Sequence, residues 1–263
     1  MDNTFDKLYY GEGNLIAGVD ESGVSDIAGP LVAACVILPK IDPQRDDLQI
    51  FEVNDSKKVP EKFRKKLAEI IWQTAIGIGI GEVQPSEMDF LDRSASIRLA
   101  MLRAVSACKT TGRGKPIRPD FILVDRAERV FVPLNIPQSC VRDADQKSLC
   151  VASASIVAKV YRDEIMAKLH ERHPFYGWIK NKGFPCETHF KGLDEHGIKI
   201  GVHRVKRWPF VTSANMPEKH AQWQKRRRVW KEATERALSK ETGENQWTLN
   251  PPSSKNSQTC KTA

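Results

Sequence analysis

Long apolar runs are missing from this sequence. The longest, Leu31 to Leu38, is far too short to cross a bilayer. The polar start Met1-Asp2-Asn3-Thr4-Phe5 lacks the pattern of a secretory signal. None of the six cysteines stands in a C-x-x-C pair, which argues against a zinc ribbon or a disulfide framework. Cys35 and Cys150 fall among apolar or small residues, where a thiol behaves as a small hydrophobe. No Ser-His-Asp or Cys-His arrangement offers a side-chain nucleophile, and no internal repeat is found. These absences leave a soluble protein of the reducing cytoplasm that does not work through a covalent intermediate.

What is present is positive charge. Forty-one Lys and Arg against thirty-three Asp and Glu give a formal charge of +8 over 263 residues, which points to a polyanionic partner. The size suits one mid-sized domain with an extension.

Against that background four acids stand out, each at an expected strand end. Asp20 and Glu21 close the apolar run from Leu15 to Val19, and Asp125 closes Phe121 to Val124. Asp145 follows the strand-like Cys140-Val141-Arg142 and opens a helical segment. Strand ends on one edge of a sheet converge, and acids that converge repel one another unless cations intervene. Hard oxygen ligands suit Mg²⁺ or Mn²⁺, and a pair of such ions can break a phosphodiester bond. Adjacent strand residues face opposite ways, so both Asp20 and Glu21 reach one site only if the strand breaks there; Gly23 permits a break.

The pattern predicts buried strands over residues 14–20 and 30–39, antiparallel because their link is short. A helix is expected over 60–73, a strand over 75–81 with an Ile face and a Gly face, and a helix over 86–108. A loop over 110–119 leads to the strand ending at Asp125. A long helix follows over 146–171, its first half made of small residues, then another from about 187 to 196, stopped by Gly197. Strands and helices in this order make an α/β domain. Residues 213–241 read as a charged helix, and 242–263 lack the apolar content to fold.

Five segments, taken in order, resemble the type 2 ribonucleases H, specifically ribonuclease HII. They are Gly18-Val19-Asp20-Glu21-Ser22-Gly23 with Ala28-Gly29-Pro30-Leu31; Asn54-Asp55-Ser56-Lys57-Lys58; Pro119-Asp120 through Asp125; Asp145-Gln146-Lys147-Ser148 into Ala152 to Lys159; and Tyr176-Gly177-Trp178 through Gly183, with Thr188-His189 and His203-Arg204. The resemblance implies a ribonuclease H-like domain over 14–212 after an arm of residues 1–13. It implies a five-stranded mixed sheet flanked by helices, with a helical C-terminal extension. It also implies endonucleolytic cleavage of the RNA strand of an RNA–DNA hybrid, or of ribonucleotide-containing duplex DNA, by a monomer. The ends left would be 5′-phosphate and 3′-hydroxyl.

By the same resemblance Asp20, Glu21, Asp125 and Asp145 hold two divalent ions and are the catalytic residues. Gly23, Val24 and Ser25 occupy the loop whose backbone reads a ribose 2′-hydroxyl, and Ser56, Lys57, Lys147, Ser148, Phe184 and Arg204 stand where the family meets its substrate. Three positions depart from the family pattern: Val24-Ser25 where Arg-Gly or Lys-Gly is usual, Phe184 where Tyr is common, and Arg126 where Gly is usual. They point towards weaker grip on a lone ribonucleotide, as in a ribonuclease HIII-like enzyme, or in the extreme towards a hybrid-binding protein without catalysis. Lys57 and Lys58 read as phosphate contacts, which the match to the family favours, or as a solvated helix start. His189 and His203 read as substrate-facing or structural. Lys225 to Arg228 beside Trp223 and Trp230 reads as a solvated helix face or a grip on the nucleic-acid backbone.

Overall fold

A computed structural model describes residues 4–9, 15–40, 59–125, 132–205, 228 and 231–236. The chain begins with a short helix α1 (Thr4–Lys7), followed by β1 (Ile16–Ser22) and β2 (Leu31–Ile37). Then come α2 (Glu61–Thr74), β3 (Gly77–Val83), α3 (Pro85–Met88), α4 (Arg93–Ser106) and β4 (Lys109–Thr110). After β5 (Phe121–Asp125) and β6 (Gln138–Val141), a 3₁₀ turn over Ala144–Gln146 leads into the long α5 (Leu149–Arg172). Two further helices, α6 (Trp178–Asn181) and α7 (Glu187–His196), close the described domain.

One mixed sheet runs in the order β4-β3-β2-β1-β5-β6. β1 and β2 pair antiparallel, as do β2 and β3, while β5 is parallel to β1 and β6 is parallel to β5. The directions follow the sequence expectation; the count does not. The sheet has six strands, because Lys109 and Thr110, placed in a loop by the sequence, pair with Ile78 and Gly77. Two residues are too few to carry a periodic signal.

Both faces of the sheet are covered, which is why β2 reads as an unbroken apolar run. Leu31, Ala33, Cys35 and Ile37 face a core completed by α4, and Val32, Ala34 and Val36 face one completed by α2 and α5. The glycine face of β3 is what brings α4 so close. A Cβ on Gly79 or Gly81 would collide with the α4 carbonyls of Ala104 or Ala100. Gly18 does the same for β1, where an added Cβ would strike the α5 backbone at Cys150 and Val151. With the small residues of its first turns, α5 thus lies directly on the strand that carries Asp20 and Glu21.

The helix expected over 86–108 is two helices. Asp92 accepts a hydrogen bond from the Ala95 amide at 2.6 Å and starts α4 anew. The β1 strand does not break at Glu21 either. Its ladder with β2 continues through Asp20↔Ala34, Glu21↔Ala33 and Ser22↔Val32, and the turn comes at Gly23, with φ of +95°. Of the expected C-terminal extension, residues 231–236 are helical, with Arg228 and Lys231 pairing to Glu232 and Glu235. Asn54 to Lys58, Arg126, Trp223, Lys225 to Arg227, Trp230 and the 242–263 tail lie outside the described residues. Among the described residues no helix is long and apolar enough to cross a membrane.

Candidate active site

Parallel pairing of β1 and β5 brings the first acids together. Val19 is opposite Val124, so the next residues along, Asp20 and Asp125, lie side by side on adjacent strands, Asp125 as the last residue of β5. The Asp125 Oδ1 accepts from the Ala144 amide at 2.8 Å, which ties the end of β5 to the 3₁₀ turn bearing Asp145. Ser155, on α5, donates to the Asp20 carboxylate. Asp20 and Asp145 are buried, and Glu21 and Asp125 are half-buried with the Oε2 of Glu21 shielded from solvent.

Burial, and next the negative charges of Glu21 and Asp125, hold the Asp20 carboxyl well above the usual carboxylate range. A site that makes its own acid reluctant to ionise is a site short of positive charge. The donors are all hard carboxylate oxygens, which fits Mg²⁺ or Mn²⁺ and does not fit a soft ion. The fit is one of chemistry and placement. Among the described residues no three Asp, Glu, His or Cys side chains are gathered into a finished ligand set.

Around this edge the other expected residues divide. Gly23 and Val24 are partly buried, Ser25 is exposed, and Phe184 presents its ring with 46 % exposure. Among non-glycine residues only Asp143 and Lys182 have positive φ in the described chain, so Ser25 sits in a conformation that does not require glycine. Ser56 and Lys57 lie outside the described residues.

Two of the expected substrate contacts are internal instead. Ser148 is fully buried and caps α5, its Oγ accepting from the Val151 amide at 3.1 Å. The anion site that the helix start offers is filled by Asp6, whose Oδ2 accepts from Leu149 at 2.9 Å and Cys150 at 3.3 Å. Lys147, beside it, is exposed and donates from Nζ to the Arg142 carbonyl.

Arg204 is only 2 % exposed, and its guanidinium donates to the carbonyls of Gly23, Val24 and Gly29. In a trans peptide the N–H lies opposite the C=O, so Arg204 turns the Val24 and Ser25 amides away from itself. The sequence reading gave no role to its companion, Arg162. This residue is 1 % exposed, donates to Ala28, Pro30 and Lys182 carbonyls, and pairs with Asp26 at 2.7 Å. An arginine among the apolar residues of a buried helix was its signal. Together the two arginines pin the β1–β2 loop to the turn that precedes Phe184.

His189 and His203 prove structural. Trp178 Nε1 donates to His189 Nε2, which lies 3.2 Å from His203 Nε2, and His189 Nδ1 lies 3.1 Å from the Phe184 carbonyl. His203 Nδ1 accepts from the Lys199 amide at 2.9 Å. These partners assign a proton to His189 Nδ1 and to His203 Nε2, and every ring nitrogen is engaged. Burial lowers the pKa of His189 to about 4 and of His203 well below its ordinary value. Protons then bind the unfolded chain first, so this stability is full above the unfolded value of 6.5 and is lost as pH falls towards 4. Between pH 6.5 and 5 His189 alone loses about 2 kcal/mol, a Tm drop of roughly 5 °C, and His203 adds to it in the same direction. Thermal melts across that window, above most carboxylate titration, check it; a flat Tm contradicts the buried neutral pair.

Comparison with known proteins decides the family. The family profile described as Ribonuclease HII matches residues 17–213. The chain belongs to the ribonuclease HII family. It is 41 % identical over 201 residues to a ribonuclease HII of Caldanaerobacter subterraneus subsp. tengcongensis, covering 76 % of this chain and 77 % of that protein. It is 36 % identical over 207 residues to one of Thermotoga maritima, covering 78 % of each. Among solved structures, ribonuclease H2 of Pyrococcus horikoshii shares the fold with a TM-score of 0.61 at 21 % identity, covering 83 % of this chain and 98 % of that one. As a ribonuclease HII, the protein is an endonuclease that cleaves the RNA strand of RNA–DNA hybrids. Metal dependence is a general property of that family.

Proposed function

We propose that Asp20, Glu21, Asp125 and Asp145 hold two divalent cations, Mg²⁺ or Mn²⁺, and that this cluster cuts the RNA strand to leave 5′-phosphate and 3′-hydroxyl ends. The observation that carries the reading is the placement of Asp20 and Asp125 side by side on the parallel strands β1 and β5, with the turn that bears Asp145 tied to Asp125 through the Ala144 amide. Bound there, the ions supply charge neutralisation at the scissile phosphate and a water acidic enough to attack near neutral pH. The chain's own contribution is orientation. The Ala144 amide fixes one oxygen of Asp125, Ser155 fixes Asp20, and the α5 start fixes the turn that carries Asp145. The protein acts as a cytoplasmic monomer, and its buried free thiols Cys35, Cys108 and Cys150 are in keeping with a reducing compartment. Chelation of divalent ions is expected to stop cleavage of a labelled hybrid, and added Mg²⁺ or Mn²⁺ to restore it; cleavage that survives chelation rejects the ion-dependent reading.

Substrate choice follows from the loop that Arg204 holds. Its outward amides at Val24 and Ser25 provide main-chain donors to a ribose hydroxyl, while the exposed Phe184 ring provides a stacking face without a phenol. One missing neutral hydrogen bond is worth about 0.5–1.5 kcal/mol, up to about tenfold in discrimination. Runs of ribonucleotides are therefore expected to be cut well and a single embedded ribonucleotide relatively poorly. Phe184→Tyr is expected to raise kcat/KM on the single-ribonucleotide duplex several-fold more than on uniform hybrid. A wild type that already prefers the single ribonucleotide refutes this account of its specificity.

A further inference from the structure

The family match begins at residue 17, yet the segment before it is built into the support of the acids. Phe5 and Tyr9 pack on a small core of Ile16, Leu123, Ala144 and Val151, and Tyr9 stacks obliquely on Phe121. Ala144 is the residue whose amide holds Asp125 and whose neighbour is Asp145. Between the two aromatics, Asp6 is 1 % exposed and its Oδ2 takes the amides of Leu149 and Cys150. Those amides begin the helix that lies against β1 at Gly18 and reaches Asp20 through Ser155. The same helix start is linked back to the 3₁₀ turn, since Ser148 and Lys147 both donate main-chain hydrogen bonds to the Ala144 carbonyl.

We propose that Asp6, outside the family's matched span, is a positioning residue of the active site: by fixing the first turn of α5 it sets Asp145, Asp125 and Asp20 for cation binding. The inference rests on the proposed role of the four acids. Asp6 acts on the acids through the helix start and is not itself a ligand in this scheme. Its effect travels through two rigid contacts, the amides it holds and the Ala144 turn. Oxygen geometry matters more than charge in such a role, because the amides need an acceptor at one place.

The test compares full-length wild type, Asp6→Ala, Asp6→Asn and Asp6→Glu. Mn²⁺ binding is followed by loss of the free-ion paramagnetic resonance signal, and kcat by cleavage of a labelled hybrid. All assays are run well below each variant's Tm. Asp6→Ala is expected to weaken Mn²⁺ binding about tenfold, the low end for residues that orient metal ligands, and to lower kcat alongside. Asp6→Asn keeps an acceptor oxygen in place and is expected to recover most of the loss. Asp6→Glu keeps the charge but displaces the oxygen, so it is expected to behave like Asp6→Ala and serves in its place if that variant does not fold. A lower Tm with unchanged Mn²⁺ binding and kcat overturns the proposal and leaves Asp6 a cap for stability alone. Asp125→Asn in parallel separates the two readings. If it leaves Mn²⁺ binding intact, the assignment of the acids has failed; if it abolishes binding while the Asp6 variants do not alter it, only the positioning role has failed.

Discussion

Asp125→Asn will reduce cleavage to background while hybrid binding persists. The amide side chain keeps the size of the carboxylate and can still accept from Ala144, so β5 and the 3₁₀ turn stay in register. What disappears is one negative charge in a cluster that on the proposed reading attracts cations, and an amide is a far poorer partner for a hard divalent ion. The loss falls on the chemical step, where a misplaced or missing ion removes several kcal/mol of transition-state stabilisation, equivalent to three or more powers of ten. Relief of repulsion also lets Asp20 ionise at lower pH, since Asp125 is one of the charges that hold its carboxyl high. Single-turnover kinetics and equilibrium binding to the same labelled hybrid check both halves. Substantial residual turnover would sink the assignment of the acids.

Arg162→Ala is expected to cost about 3–5 kcal/mol of folding stability, the range for breaking a buried ion pair by removing one partner. The guanidinium is 1 % exposed and Asp26, its partner, 13 %. Removing it strands the Asp26 carboxylate and the carbonyls of Ala28, Pro30 and Lys182. Arg204, held down to about 9 by burial and next by the Arg162 charge, gains a little from losing a like-charged neighbour, which only partly offsets the damage. Urea unfolding measures the loss. The double variant Arg162→Met, Asp26→Asn is expected to be markedly less destabilised, because it leaves no buried charge unpaired. A single-variant loss under 1 kcal/mol would show that the loop does not depend on this pair.

Much of the acidic edge was legible in the sequence because it is written in short-range patterns. Apolar runs ending in acids locate β1 and β5, and the small residues of α5 announce a helix pressed against a strand. The glycine face of β3, which reads most simply as a weakened strand, is in the structure where α4 approaches. What escaped is what depends on distant partners. The break between α3 and α4 turned on one cap, Asp92, inside an otherwise continuous helical pattern. The continuation of β1 through Glu21 depends on Ala33 and Ala34 across the ladder. Ser148 and Arg204 were read as substrate contacts from the family resemblance; their partners are Asp6 and the β1–β2 loop, both near the start of the chain and far from them in sequence. The role of Arg162 was not read for the same reason, since its partners, Asp26 and the carbonyls of Ala28, Pro30 and Lys182, lie in other segments of the chain.

The pairing of β1 with β5 joins Ile16 to Phe121, roughly a hundred positions away. This spacing gives the enzyme an order of assembly. The β1–β2–β3 meander closes through nearer neighbours, and long-range parallel pairing, which must first overcome the entropy of a long loop, follows. A chain still leaving the ribosome therefore carries Asp20 and Glu21 with no Asp125 beside them and no α5 against β1. On the proposed role of the acids, a molecule that lacks this closure cannot yet cut a hybrid it meets.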